Sequence, residues 1–316
     1  MFIFQFLFNI LIYIMTNEYH KIINKVYNII KKEGIPYYLD KWKKPLIPEN
    51  FESYEDFLYF LYKYVQSYHT HSFVYSISKT EKYNKQNISQ NNERQMPAFK
   101  YDERTKIGTI TYYQFINDYN NEKKTMNDYK KLIKLVQATY QSWNQKGLNG
   151  LIIDLRKHTG GNMWPAVESL QDILGDTSLL SFTNVKSKFS DKKWINIQNG
   201  KIMKKDDKLV TAKIKFDNPI AVIVSQNTAS SGEFITGIFY GRNNVKIFGD
   251  KTNKTAGFFS VNKTIKINDD LIFNLTNKLC TTVDGTFHVD EVIYVDKTTN
   301  SPIGDAKDWI MNNRID

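Results

Sequence analysis

Asn227-Thr228-Ala229-Ser230-Ser231-Gly232-Glu233 decides how this chain is read. Before it, Ile220-Ala221-Val222-Ile223-Val224 is a short unbroken apolar run, the pattern of a strand buried on both faces. After it, Glu233 to Tyr240 carries apolar residues at helical spacing. The small residues between predict a tight strand-to-helix turn. That turn puts Ser230 at the mouth of a helix. Backbone N–H groups there have no intrahelical partner, and the positive end of the helix dipole favours a developing anion. A serine so placed suits two roles. It caps the helix, the more ordinary role on this stretch alone, or it attacks as a nucleophile with the Ser231 N–H facing the oxyanion.

A second stretch weighs on that choice. Leu151-Ile152-Ile153-Asp154-Leu155-Arg156 reads as another buried strand. It runs into Lys157-His158-Thr159-Gly160-Gly161-Asn162-Met163-Trp164-Pro165 and then a helix. Together the two stretches resemble the tail-specific, or C-terminal processing, serine peptidase family. In that family a strand ending in Asp-Leu-Arg leads to a Gly-Gly loop. A later strand leads to Thr/Ser-Ala-Ser-x-x-Glu, with the nucleophile in the middle. Gly161 to Pro165 and Thr228 to Glu233 look like a branch that lacks the family's PDZ module. The resemblance runs from Ile107 to Ile310 and, more thinly, through the segment near His71.

Strands alternating with helices, followed by β-hairpins, indicate an α/β core with a parallel sheet behind a small N-terminal helical subdomain; the resemblance implies the ClpP/crotonase-like form of that core. It implies serine-type cleavage of peptide bonds by Ser230. The oxyanion donors would be the N–H groups of Ser231 and of Gly160 or Gly161, where glycine allows close backbone approach. His158, where the family usually has Asn, together with Asn162 and Trp164, would line the substrate. Classical members take their base from a lysine in a loop after the next strand. Here Gly249 to Gly257 puts Thr255 at that register, with Lys251 and Lys254 out of step. A neutral lysine also needs desolvation, and this loop is polar. Other relatives use a histidine ahead of the core, in a His-Ser or His-Thr context. Tyr68-His69-Thr70-His71-Ser72-Phe73 matches that pattern. His71 directly precedes an expected strand, and the intrinsic pKa of a histidine side chain, near neutrality, suits a general base, so it is the expected base, ahead of His69 and His158. Glu233 either orients the histidine or holds the turn against the helix dipole. Asp154 and Arg156 are expected to pair structurally.

The chain has 316 residues, enough for a large domain with a subdomain. Its net charge of +10 raises nucleic acid or an anionic surface as partners. The lysines are scattered rather than gathered on one face, which favours a solvated surface; the partner that the resemblance implies is a peptide or protein substrate. The single Cys280 excludes an intrachain disulfide framework. Five histidines and one cysteine show no metal-ligand spacing, and no cofactor is expected.

Four regions follow from the pattern. Residues 1–16 are an apolar extension, shorter than a bilayer span and without a basic n-region. They read as a signal, an anchor or a misread start, and the compartment and membrane association follow from which. Residues 17–78 form the helical subdomain, with apolar faces on Tyr19 to Ile30 and Phe57 to Val65, the second helix capped by Ser53. Residues 79–106 are a polar loop or flap, and 107–316 the peptidase-like core, including a helix over Asn127–Trp143, a hairpin across Asn268-Asp269-Asp270 and a turn at Asp284-Gly285. Two rival functions remain on the same residues. One is a catalytically inactive relative that binds a peptide or hydrophobic ligand, as the interphotoreceptor retinoid-binding proteins do. The other, weaker, is nucleic-acid association.

Overall fold

The computed structural model describes residues 2–80, 95–118, 121–184, 192–205, 207–209 and 214–315. Its strands in chain order are β1 (Phe73–Ser76), β2 (Ala98–Asp102), β3 (Ile107–Thr111), β4 (Gly150–Asp154), β5 (Thr177–Asn184) and β6 (Lys192–Gln198). They continue as β7 (Lys201–Lys205), β8 (Ile220–Val224), β9 (Val245–Asp250), β10 (Ser260–Lys266), β11 (Leu271–Thr282) and β12 (Lys297–Thr299). The chain divides into two compact units, one of residues 1–92, 184–189 and 260–278, the other of the remainder.

The larger unit is built on a sheet ordered β12-β9-β8-β4-β3-β2. From β12 to β3 every neighbouring pair is parallel, and β2 closes the edge antiparallel to β3. Every residue of β4 and of β8 is buried. Unbroken apolar runs are what a parallel sheet covered on both faces requires. One face packs Ile107, Ile152, Ala221, Ile223 and Phe248 against Ala306 and Ile310 of the closing helix Pro302–Asn313. The register pairs Asp154 with Ile223, so β4 and β8 end side by side. The loops that follow them therefore leave the same edge of the sheet, at the carboxyl ends where open α/β sheets place their sites.

The Asn127–Trp143 helix runs further, over Glu122–Gln145, because Asn121 accepts the Lys124 N–H at 2.9 Å and caps it. The last part of the expected 79–106 flap is instead the edge strand β2, ending where Asp102 accepts the N–H groups of Arg104 and Thr105; residues 81–94 of it lie outside the described residues. An antiparallel meander of β5, β6 and β7 has no counterpart in the sequence reading. Its turn is Asn199-Gly200, both at positive φ (52° and 65°), the signature of a two-residue hairpin. The turn expected at Asp284-Gly285 is present: Thr282 N–H donates to the Thr286 carbonyl at 3.0 Å.

The smaller unit packs the helix Phe2–Glu33, through Tyr19, Ile23, Val26 and Ile30, on the helix Tyr54–Tyr68. Ser53 caps the second helix by accepting the Asp56 N–H at 3.0 Å. The unit also contains Ile267, Leu271, Phe273 and Leu275 of the β10–β11 hairpin, and β11 pairs antiparallel with β1. The subdomain is thus not the continuous 17–78 segment; it completes its sheet with residues about two hundred positions away. Among the described residues no helix is long and apolar enough to cross a membrane.

Candidate active site

The turn after β8 is stitched to the loop after β4 before Ser230 is reached. Thr228, fully buried, donates to the Leu155 carbonyl at 3.0 Å, and Ser225 Oγ donates to the Arg156 carbonyl at 3.0 Å. Ala229 N–H donates to the His158 carbonyl at 3.2 Å. Ser230 then stands half-buried with φ 52° and ψ −116°, a conformation that L side chains rarely adopt. Such strain costs about 1–3 kcal/mol and persists only where the surroundings enforce it. The helix Ser231–Phe239 begins immediately after. The Ser231 N–H is thus among the first N–H groups of a helix, which no intrahelical carbonyl takes.

Gly160 meets Ser230 directly. A Cβ added at Gly160 would lie 3.3 Å from Ser230 Cβ and 3.7 Å from its Oγ, and φ is +134°. Gly161, at φ +101°, faces the other way: a Cβ there would lie 2.4 Å from the Phe115 carbonyl oxygen. Phe115 and Gly161 form an isolated parallel bridge, and Asn162 N–H donates to the Phe115 carbonyl at 2.7 Å. The segment after β3 is thus a strap along the Gly-Gly loop. The two glycines are needed for different close approaches, one to the serine and one to the strap.

The remaining expected residues sort by what holds them. Asn162 Nδ2 donates to Asn117 Oδ1 at 3.1 Å, and its Oδ1 accepts the Trp164 N–H at 3.0 Å. Its side chain therefore fixes the loop and starts the helix Trp164–Ser169, with Trp164 at the head of it. His158 does not line an open surface: it is 1% exposed. It lies behind the turn, where a Cβ on Gly232 would come 2.4 Å from its carbonyl oxygen and 3.2 Å from its Nδ1. Burial pushes its imidazole down to about 4, so it is neutral. Arg156 binds Asp154 through Nη2 at 2.8 Å and Asp250 through Nη1 at 3.0 Å, a structural link across the ends of β4 and β9.

Glu233 is fully buried. Its Oε2 accepts the N–H groups of Ser230 and Phe258, and its Oε1 that of Gly257, each at 2.8 Å. These contacts tie the turn to the Gly257-Phe258 stretch. Lys251 and Lys254 are exposed, and Thr255, at the lysine register, is 2% exposed. No pattern in the sequence pointed to Phe115 as a partner of the Gly-Gly loop, because that contact is made across distant segments.

His71 belongs to the smaller unit. Its Nδ1 lies 2.8 Å from Ser260 Oγ, and its carbonyl accepts Asn262 Nδ2 at 2.9 Å. Its N–H donates to His69 Nδ1 at 3.1 Å, and the His69 ring sits edge-on to Tyr38. His69 is therefore engaged as a packing and hydrogen-bonding residue within that unit.

The family model "Peptidase family S41" matches residues 106–297. Among curated proteins, the nisin-resistance protein of Lactococcus lactis subsp. lactis is 29% identical over 199 residues, 62% of this chain and 59% of that protein. A probable CtpA-like serine protease of Staphylococcus aureus is 26% identical over 221 residues, 69% of this chain and 38% of that protein. The chain thus spans less than two thirds of the curated relatives it matches. Among solved structures, a lipoprotein from Streptococcus agalactiae superposes with TM-score 0.69 at 22% identity, covering 93% of this chain and 96% of that one. A putative peptidase from Parabacteroides merdae superposes with TM-score 0.55 at 13% identity, covering 94% of each chain. Both likenesses are of fold.

Proposed function

The chain belongs to peptidase family S41, and from that premise we propose that it cleaves peptide bonds with Ser230 as nucleophile and His71 as general base. Ser230 Oγ attacks the scissile carbonyl carbon while its proton passes to the His71 imidazole. The carbonyl oxygen becomes an oxyanion, held by the N–H of Ser231 and by the Gly160-Gly161 loop. Collapse breaks the C–N bond, and the leaving amine takes the proton from His71. Water then attacks the acyl ester, giving a proton to His71; the Ser230 Oγ–C bond breaks, Oγ takes that proton back from His71, and a carboxylic acid is released.

The observation that carries this reading is the conformation of Ser230: left-handed, at the start of a buried helix, with Gly160 bare of a side chain against it. An ordinary capping serine has no need of that backbone strain. The Ser260 hydroxyl beside His71 Nδ1 supports the base assignment. Where Ser260 accepts from Nδ1–H, the neutral ring carries its lone pair on Nε2.

Substrates of the C-terminal processing type are peptide tails. The relative named for nisin resistance makes nisin the first substrate to assay. The deciding experiment treats the folded chain with a fluorophosphonate and maps the adduct by mass spectrometry. Labelling of Ser230, lost in Ser230→Ala and slowed at least about a hundredfold in His71→Ala, is expected. A folded protein that stays unlabelled at Ser230 removes the nucleophile assignment.

A further inference from the structure

Two side chains of β10 reach His71. Ser260 Oγ lies 2.8 Å from His71 Nδ1, and Asn262 Nδ2 donates to the His71 carbonyl at 2.9 Å. The two residues stand two positions apart on one strand, so both side chains leave the same face of it. One meets the ring and the other the backbone. Ser260 is 1% exposed, so its hydroxyl is turned to the protein rather than to water.

This cradle is braced from behind. Thr276 of β11, fully buried, donates its Oγ1 proton to Asn262 Oδ1 at 2.7 Å. With its oxygen so engaged, the Asn262 amide presents Nδ2 to the His71 carbonyl. The Thr276 N–H donates to Ser72 Oγ at 3.0 Å, and the Ser72 N–H donates to the His69 carbonyl at 2.9 Å. The Tyr68 hydroxyl donates to the Thr276 carbonyl at 3.1 Å. The chain on both sides of His71 is therefore tied to the hairpin that carries Ser260.

We propose that Ser260 is the positioning residue of the general base: its hydroxyl accepts the His71 Nδ1–H, holds the ring and leaves Nε2 as the basic nitrogen. The inference rests on His71 being the base. The nitrogen beside Ser260 is engaged, so a proton leaving Ser230 must go to the other one. A neutral imidazole has a single N–H, and Nε2 accepts only when that N–H is on Nδ1. The hydroxyl oxygen can receive Nδ1–H both before and after Nε2 is protonated. Being neutral, it orients the ring without adding the countercharge that the buried aspartate of a Ser-His-Asp triad supplies.

The test reads tautomer and rate together on the full chain. Histidine labelled with nitrogen-15 reports by NMR which ring nitrogen holds the proton, at about pH 9, where an ordinary imidazole is neutral. The His71 signal is identified by its loss in His71→Gln. In wild type the proton is expected on Nδ1. In Ser260→Ala it is expected to move to Nε2, and fluorophosphonate labelling of Ser230 to slow by about tenfold to a hundredfold, short of the roughly ten-thousandfold that a wrong tautomer costs a Ser-His-Asp triad. A variant in which either the tautomer or the rate stays put overturns the role of Ser260 and leaves the nucleophile untouched. So does a wild-type ring protonated at Nε2, a measurement that decides the matter if Ser260→Ala does not fold. Labelling of His71→Ala at the wild-type rate overturns the base assignment itself.

Discussion

Gly160 shows how little room a single position leaves. Its φ of +134° is costly for any residue with a Cβ, and that Cβ would stand 3.3 Å from Ser230 Cβ. Gly160→Ala must therefore displace either the loop or the serine. Preorganised oxyanion donors contribute about a hundredfold to a thousandfold in kcat each. We expect Gly160→Ala to lose about a hundredfold or more in kcat with the melting temperature changed by only a few degrees. Steady-state kinetics beside a thermal melt checks it; an unchanged kcat would show that this loop does not face the reacting carbonyl. Ser230 and Glu233 obey the same logic. Each is defined by what it can accept or donate at one point, and a change of one atom is enough to alter it.

At the scale of elements, the helix Ser231–Phe239 is unusual in burying all nine of its residues. A helix apolar all round has no solvent face and is enclosed by its neighbours. That enclosure makes the position of Ser230 rigid, since the helix cannot tilt without moving packed side chains. Gly237 marks the tightest contact: an added Cβ would meet Phe259 Cζ at 2.5 Å and Leu180 Cδ2 at 3.3 Å. Gly237→Ala gains helix propensity of about 1 kcal/mol, yet overpacking costs about 1–3 kcal/mol. The clash is with a buried aromatic ring, so we expect net destabilisation, read as a lower urea midpoint with the same slope. The strap beside Gly161 and the Glu233 contacts act on the two ends of the same device, one on the Gly-Gly loop and one on the turn.

Each whole unit has its own core. In the larger one the closing helix supplies Ala306 and Ile310, both fully buried, to the face of the parallel sheet. Ile310 also packs where Gly150 leaves space, since a Cβ there would lie 2.3 Å from Ile310 Cγ2. Ile310→Ala should cost about 2–4 kcal/mol by lost burial and the cavity left behind. Equilibrium denaturation measures this, and a loss below about 1 kcal/mol would mean that the helix is not part of the cooperative unit. In the smaller unit, β1 finds its partner in β11, and its core draws on Phe273 and Leu275. The N-terminal helices therefore lack part of their core until the chain has returned some two hundred residues later.

Much of this was legible in the chain itself. The runs Leu151-Ile152-Ile153 and Ile220-Ala221-Val222-Ile223-Val224 read as buried strands because burial on both faces demands unbroken apolar side chains, whatever else surrounds them. The turn at Ser230 was legible for a similar reason, since small residues between a strand and a helix constrain the backbone locally. The β5–β7 meander was passed over although Asn199-Gly200 announced its turn. Other features had no local signal at all. Ser260 beside His71, Phe115 against Gly161 and Gly232 against His158 are contacts between segments far apart in the chain. Residue type and spacing report the preferences of a segment. Which atoms meet across the sheet's edge depends on how every segment packs at once, and only the folded chain decides that.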